Sequence, residues 1–390
     1  MRTFGKWLGR LLGLVLVAIV AFLAFAPGYV ESTRNPVAPH APYPVSDAAA
    51  TLHADMLVGD WHADTLLWKR DPLDRADRGQ VDLPRLIEGN VGIQVFTAVT
   101  KSPAGQNYDE NSAEAMDNIT LLAMGQLWPV DTWGSLYERA RYQAARLHDA
   151  AARSGGQLRV VTTRAELDAV LADRAAGKTV VAGLLGIEGA HPLQGDLSKL
   201  QGLQDAGYTV IGLQHFFDNE LGGSLHGIGN KGLTEFGREV VQAVAARGLV
   251  LDVAHSSPQV ARDVLDMTDI PIIVSHTGIY ANCPVKRNFP DELMQDIAAT
   301  GGVIGIGYWA DVTCDDSPAG VAKTIKTAID VVGEDHVSLG SDFDGSVGTA
   351  FDTSELSALT QALMDAGLTE AQIRKVMGEN LLRVLHERLN

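Results

Sequence analysis

Cysteine is nearly missing from this chain: only Cys283 and Cys314 occur in 390 residues. Without a Cys-x-x-Cys spacing, neither a thiolate zinc site nor a dithiol redox centre is suggested. In an oxidising compartment the two are free to pair. Basic side chains are scarce too, 31 Lys and Arg against 48 Asp and Glu, for a formal net charge of −17. Such a surface repels phosphate backbones, which argues against nucleic-acid binding and otherwise says little beyond solubility. No repeat of solenoid period and no low-complexity tract beyond Ala-rich helix is present. The Gly-rich piece 222–229 does not lead from a strand into a helix as a dinucleotide-binding loop would, and it reads as a flexible loop.

Charge is absent altogether from Leu11 to Val30, a stretch long enough to cross a bilayer as a helix. Arg2, Lys6 and Arg10 precede it and should stay in the cytoplasm, sending everything after Glu31 outward. Ala24-Phe25-Ala26 resembles a signal-peptidase site, but Pro27 would stand just after the cut. The favoured reading is a retained membrane anchor over 1–30, with the domain periplasmic or extracellular; cleavage would make it secreted. Residues 31–47, with Pro36, Pro39, Pro42 and Pro44, read as an extended linker.

One domain is expected over 48–390. Short β-branched or Leu-rich runs alternate there with Ala-rich helical stretches, the pattern of a parallel sheet wrapped by helices. Candidate strands are 57–60, 91–96, 180–187, 208–213, 249–253, 272–275, 303–306 and 337–340. Eight is the number that closes a TIM-type (β/α)8 barrel. Thr234 opens a helix stopped by Gly248, Asp291 and Glu292 favour the start of another, and Thr369 with Gln372 forms a capping box for a last helix reaching about Leu385. Helical material between Asn111 and Asp173 exceeds what one crossover needs; it lengthens the wall of the site or supports contacts between subunits.

Four of the runs end in metal-type ligands. His62 and Asp64 stand two residues apart, so on a strand both point the same way and can grip one ion. Glu188 ends the third run between glycines, and a carboxylate placed between two ions can bridge them. His255 and His276 end the fifth and sixth and suit a second ion. A single His at a strand end is more often structural than a ligand, and His191, past its strand, is read that way. Several at equivalent positions point instead to one metal centre at the mouth of a barrel, with donors that suit zinc. Asp342 ends the eighth run and is placed to handle protons; Asp344 shares its parity and competes for that role.

The ordered series Asp60-Trp61-His62-Ala63-Asp64, Glu188-Gly189-Ala190, Gly212-Leu213-Gln214-His215, Asp252-Val253-Ala254-His255-Ser256, Ser275-His276-Thr277, Arg287-Asn288-Phe289-Pro290-Asp291 and Gly340-Ser341-Asp342-Phe343-Asp344-Gly345 resembles the membrane (renal-type) dipeptidases. The resemblance runs from roughly Met56 to Leu385 and implies a (β/α)8 zinc peptidase with two ions. By it, His62 and Asp64 bind one zinc, His255 and His276 the other, and Glu188 bridges them. His215 is similar to the histidine that contacts the scissile carbonyl, Arg287 to the arginine that receives the substrate carboxylate, and Asp342 to the acid that shuttles the proton. The family's disulfide matches Cys283 with Cys314, and a homodimer is suggested. The implied reaction is hydrolysis of free dipeptides by a hydroxide between the two ions. Ala63 stands where Asn is frequent and Gln214 where Thr is frequent, which touches substrate preference and not the ligands. An enzyme acting on another amide, a β-lactam or a lactone would use the same ligands. The rival of a different class is a membrane-tethered binding protein that has lost catalysis.

Overall fold

The computed structural model describes residues 2–390; Met1 and the side chains of Arg2, Thr3 and Leu8 lie outside the described residues, and with Arg2 goes one of the three basic flanking groups. Among the described residues the sheet holds nine strands: β1 (Val58–Ala63), β2 (Val91–Val99), β3 (Leu158–Val160), β4 (Val181–Glu188), β5 (Tyr208–Gly212), β6 (Val250–Asp252), β7 (Ile272–Thr277), β8 (Val303–Ile306) and β9 (Val337–Leu339). All pair in parallel, in the order β1-β2-β4-β5-β6-β7-β8-β9. Every residue of β1, β2 and β4 is buried, as expected of parallel strands covered on both faces. First and last strands meet where Asp64 N donates to Phe343 O at 2.9 Å and Ser341 N donates to the Asp60 carboxylate at 3.0 Å. The eight-stranded barrel is therefore nearly closed, and the strand ends carrying the candidate ligands share its mouth.

The short β3 is an addition the sequence reading did not include. It pairs with the first half of β4, from Val181 to Gly183, where β5 has not yet begun. It lies inside the long segment between β2 and β4, alongside the helices Asn118–Gly125, Leu136–Arg153 and Arg164–Ala175. Arg139 fastens that segment to the barrel, donating to Thr100 O at 2.6 Å and pairing with Asp117 at 2.5 Å.

The helices follow their local signals. Thr234 Oγ1 accepts from Gly237 N at 3.0 Å to cap the helix Glu235–Ala246, whose Val240, Val241 and Val244 are fully buried. Each such side chain contributes roughly 1.5–3 kcal/mol of burial. Gly248 ends it with φ +74°, a conformation glycine adopts without strain. The capping box of Thr369 and Gln372 is present, and the last helical stretch runs on through a π turn, Lys375–Glu379, to Arg388 rather than stopping near Leu385. Its Leu381, Val384 and Leu385 pack with Trp61, Ile93 and Val95.

Two expectations change. The N-terminal helix spans Arg2–Arg34, with Pro27 inside it, and so continues four residues into the stretch read as linker. The following residues lie on the domain rather than extending from it: Ala38 N donates to Thr349 O at 2.8 Å and Ser346 N to Asn35 Oδ1 at 2.8 Å. The piece 222–229 is also no loose loop, since Gly222 to Gly227 are buried and Leu225 N donates to His255 O at 2.8 Å.

Candidate metal centre

Alternation along β1 places His62 and Asp64 on one side, with His62 Nε2 3.4 Å from Asp64 Oδ1. Asp60 shares that parity; it accepts from His62 N at 2.9 Å and from Ser341, tying β1 to the loop after β9. Glu188 ends β4, where Gly189 turns with φ +80° and a side chain would collide with His191. Glu188 Oε1 lies 3.0 Å from His255 Nε2, 3.4 Å from His276 Nε2 and 3.6 Å from His62 Nε2, while Oε2 lies 3.2 Å from His215 Nε2. His255 Nε2 and His276 Nε2 are 2.9 Å apart. Donors about 2.0–2.1 Å from one tetrahedral ion are separated by roughly 3.3 Å, the scale seen throughout this cluster.

The donor set fits a cation on chemical grounds. Three buried carboxylates, Asp64, Glu188 and Asp342, converge with four buried imidazoles. Among the described residues His62 Nε2 and Asp64 Oδ1 have no hydrogen-bond partner, although both are shut off from solvent. Burial raises the Glu188 carboxyl well above its usual range, and the nearby Asp64 adds to the effect. Burial likewise pushes Asp342 up to about 8. For His62, burial acts downward, but the carboxylates of Asp64 and Glu188 outweigh it and hold the ring at about 10. Protons thus balance charge that a divalent ion would balance in their place, and metal binding would release them. His255 and His276 are driven well below the ordinary histidine range by burial and by Arg287, which leaves neutral nitrogens suited to ligation.

Neighbours aim these rings. His276 Nδ1 is 2.9 Å from Ser275 Oγ, which donates to Asp252 at 2.6 Å. His215 Nδ1 meets Lys101 O at 3.1 Å, so Nδ1 carries the proton and Nε2 faces the cluster. Gln214 beside it accepts from Ser256 Oγ at 2.6 Å. Arg287 is buried, donating to Ala254 O at 2.8 Å and His276 O at 2.7 Å, and its guanidinium lies 5.9 Å from the Trp309 ring centroid. Its neighbours are carbonyls; among the described residues no carboxylate pairs with it. Its loop is held by the disulfide between Cys283 and Cys314, Cα atoms 5.6 Å apart.

All eight residues singled out in the sequence therefore converge on one cavity of about 90 Å³ or on the ligand cluster beneath it. Asp342 comes closer to the ligands than a pure proton carrier needs, 3.8 Å from His62, and groups with His62 and His276 as a possible donor. Asp344 is structural: Arg70 pairs with it, and Thr65 Oγ1 and Gln80 N donate to it at 2.8 and 2.7 Å. His191 is buried against Phe217 and, among the described residues, joins no ligand group. Sequence reasoning missed the cavity wall, notably Tyr108, Phe216 and Trp309. Trp309 Nε1 donates to Tyr108 Oη at 3.0 Å, and burial pushes that phenol up to about 12.

Known proteins resemble this chain in sequence and in fold. The family described as membrane dipeptidase (peptidase family M19) matches residues 46–389. The dipeptidase aclJ of Aspergillus oryzae is 35% identical over 219 residues, which is 53% of this chain and 51% of that protein. The dipeptidase tcpJ of Claviceps purpurea is 28% identical over 318 residues, 79% of this chain and 69% of that protein. The chain thus spans about half the length of the first of these relatives and about two thirds of the second. Among solved structures, the metallopeptidase called dipeptidase AC superposes with a TM-score of 0.71 at 25% identity, covering 86% of this chain and 99% of that one. A metallopeptidase from Rhodobacter sphaeroides, bound to a phosphinate mimic of the dipeptide L-Ala-D-Ala, gives 0.68 at 25% identity over 86% of this chain and 100% of that one. With the family's pattern matched over nearly the whole barrel and its fold reproduced, the chain belongs to the membrane dipeptidase family, peptidase family M19.

Proposed function

We propose that this chain hydrolyses free dipeptides with two zinc ions, His62 and Asp64 holding one, His255 and His276 the other, and Glu188 both. The observation that carries the reading is the place of Glu188, one carboxylate approached by imidazole nitrogens from the ends of β1, β6 and β7 and, on its second oxygen, by His215. Ions held there would supply Lewis acidity and a water acidic enough to serve as nucleophile near neutral pH. The remaining work falls to the chain's own side chains. Arg287, a buried cation that donates to two backbone carbonyls and among the described residues pairs with no carboxylate, would receive the substrate's free carboxylate and restrict cleavage to very short peptides. His215 presents Nε2 to the scissile carbonyl; with Nδ1–H committed to Lys101 O, it donates there only after taking a second proton. Asp342 would take the proton of the attacking water and return it to the leaving amine.

The helix Arg2–Arg34 is read as a retained anchor that leaves the domain outside the cytoplasm. Its stretch Arg10–Arg34 contains an apolar window long enough to cross a bilayer, and almost all of that window is exposed. The deciding experiment measures zinc per chain together with hydrolysis of a dipeptide panel, L-Ala-D-Ala included, before and after chelation. Two zinc ions and chelator-sensitive cleavage are expected; full activity in metal-free protein would refute the reading. Cleavage of β-lactams or lactones without any need for a free carboxylate would favour the alternative hydrolase.

A further inference from the structure

We propose that residues 116–130 dock into the lipid surface beside the N-terminal helix, so that the entrance to the metal centre opens at the level of the headgroups. This rests on the anchor reading above. The helix Asn118–Gly125 is apolar on both faces. Ile119 and Ala123 enter a small core with Leu67, Trp68, Val99 and Trp128. Leu121, Met124, Leu127 and Val130 point the other way and are 39 to 73% exposed, with Met116 at 62%. A short helix apolar all round needs a second apolar neighbour, and the domain provides one only on its inner side.

The charge pattern agrees. Asp117 is the one charged residue of the segment, and it is paired with Arg139. Leu127 holds a left-handed backbone, φ +60°, that leucine rarely adopts, in a turn that presents it to solvent. What identifies lipid as the occupant is continuity with the apolar helix. One cavity of about 610 Å³ has Phe22, Ala26 and Val30 on one side and Ile119, Leu121 and Leu122 on the other. Those helix residues form the outer end of the apolar stretch, so the exposed side chains of 116–130 stand at the depth where amphipathic segments bury about 5–10 Å into the headgroup boundary. Ser102, Gln106, Tyr108 and Phe216 line both this cavity and the smaller one over the metal centre. Substrate would then arrive along the membrane surface.

The test places the photoreactive residue p-benzoylphenylalanine at Leu121, Leu127 or Val130 of the full chain in phosphatidylcholine vesicles. The same residue goes at Phe25 to report the span, and at exposed Asp269, at the opposite end of the barrel, as background. After irradiation, mass spectrometry should show the added mass of phosphatidylcholine at Phe25 and at all three positions of the segment, and none at Asp269. Lipid addition at Phe25 alone overturns the proposal and leaves the anchor standing. Chain-to-chain crosslinks from Leu127 or Val130 overturn it in favour of a second copy on this face. An absence of lipid at Phe25 as well removes the anchor reading and this proposal together.

Discussion

Two clusters of buried charge lie on either side of the loop 341–346, and they are built in opposite ways. On one side Arg70 joins Glu31 of the N-terminal helix to Asp344, Arg78 adds a second bond to Glu31, and Arg85 joins Asp82 to Asp352. On the other, Asp64, Glu188 and Asp342 face imidazoles, and burial raises all three carboxyls. Asp342 and Asp344 make the contrast sharpest. They stand two residues apart, both with left-handed backbones at φ 58° and 64°, yet one is fully served by the protein and the other is not. Buried charge that the chain neutralises itself is architecture; buried charge left for another group to neutralise marks a site.

The largest expected effect breaks the second cluster. On the proposed reading Glu188→Ala should remove metal from both positions and lower kcat/KM by about four decades or more, because one side chain would serve both ions. Elemental analysis beside dipeptide assays checks this, and a variant with two zinc ions and full activity would take Glu188 out of the centre. The counterpart in the first cluster is Arg70→Met, which leaves Glu31 and Asp344 buried without their shared cation. Breaking a buried pair from one side costs about 3–5 kcal/mol, so denaturant unfolding should show a loss of that size. A change under 1 kcal/mol would deny that this cluster is architectural.

These clusters were unequally legible in the sequence. The residues that cluster beyond the strand ends could be found because a covered parallel strand reads as an apolar run and its last residue is a local fact. The strand β3 escaped because Leu158-Arg159-Val160 is three residues long and partly exposed, too short for any period. Glu31 escaped because its partner Arg70 lies 39 residues on and the prolines after it suggested an extended chain. In the piece 222–229 glycine was taken for looseness, whereas a side chain at Gly223 would stand 2.3 Å from Lys231 O and one at Gly227 1.9 Å from the Asp218 carboxylate. Those glycines mark close packing. Tyr108, Phe216 and Trp309 carry no chemical signature that separates a cavity wall from core.

The disulfide tests whether the loop over the second cluster is held by covalent closure or by its own hydrogen bonds. Asn288 already ties that loop, donating to Cys283 O and Val312 O at 2.9 Å each. Replacing both cysteines by serine should lower stability by about 3–4 kcal/mol in the chain-entropy model, for a closure across 31 residues, while zinc content stays unchanged. Loss of metal in the double variant would show instead that the bridge shapes the centre.

The smallest effect is the most specific, because Arg287 belongs to neither cluster on charge alone. It is buried like Arg70, but its hydrogen bonds go to Ala254 O and His276 O, and among the described residues no carboxylate pairs with it. By the rule drawn from the two clusters, a cation left in that state waits for an anion from outside, and a dipeptide's terminal carboxylate has the right charge and planar shape. Arg287→Ala should forfeit roughly 1.5–3 kcal/mol of charge-assisted binding, about one to two decades in kcat/KM. Metal content should not change, since the guanidinium donates to the backbone carbonyls of Ala254 and His276 and not to a side chain of the cluster. Wild type should correspondingly prefer free dipeptides to their C-terminal amides by a similar factor, and the variant should lose that preference. Equal wild-type rates on acid and amide would leave the metal centre intact and assign Arg287 to the architecture after all.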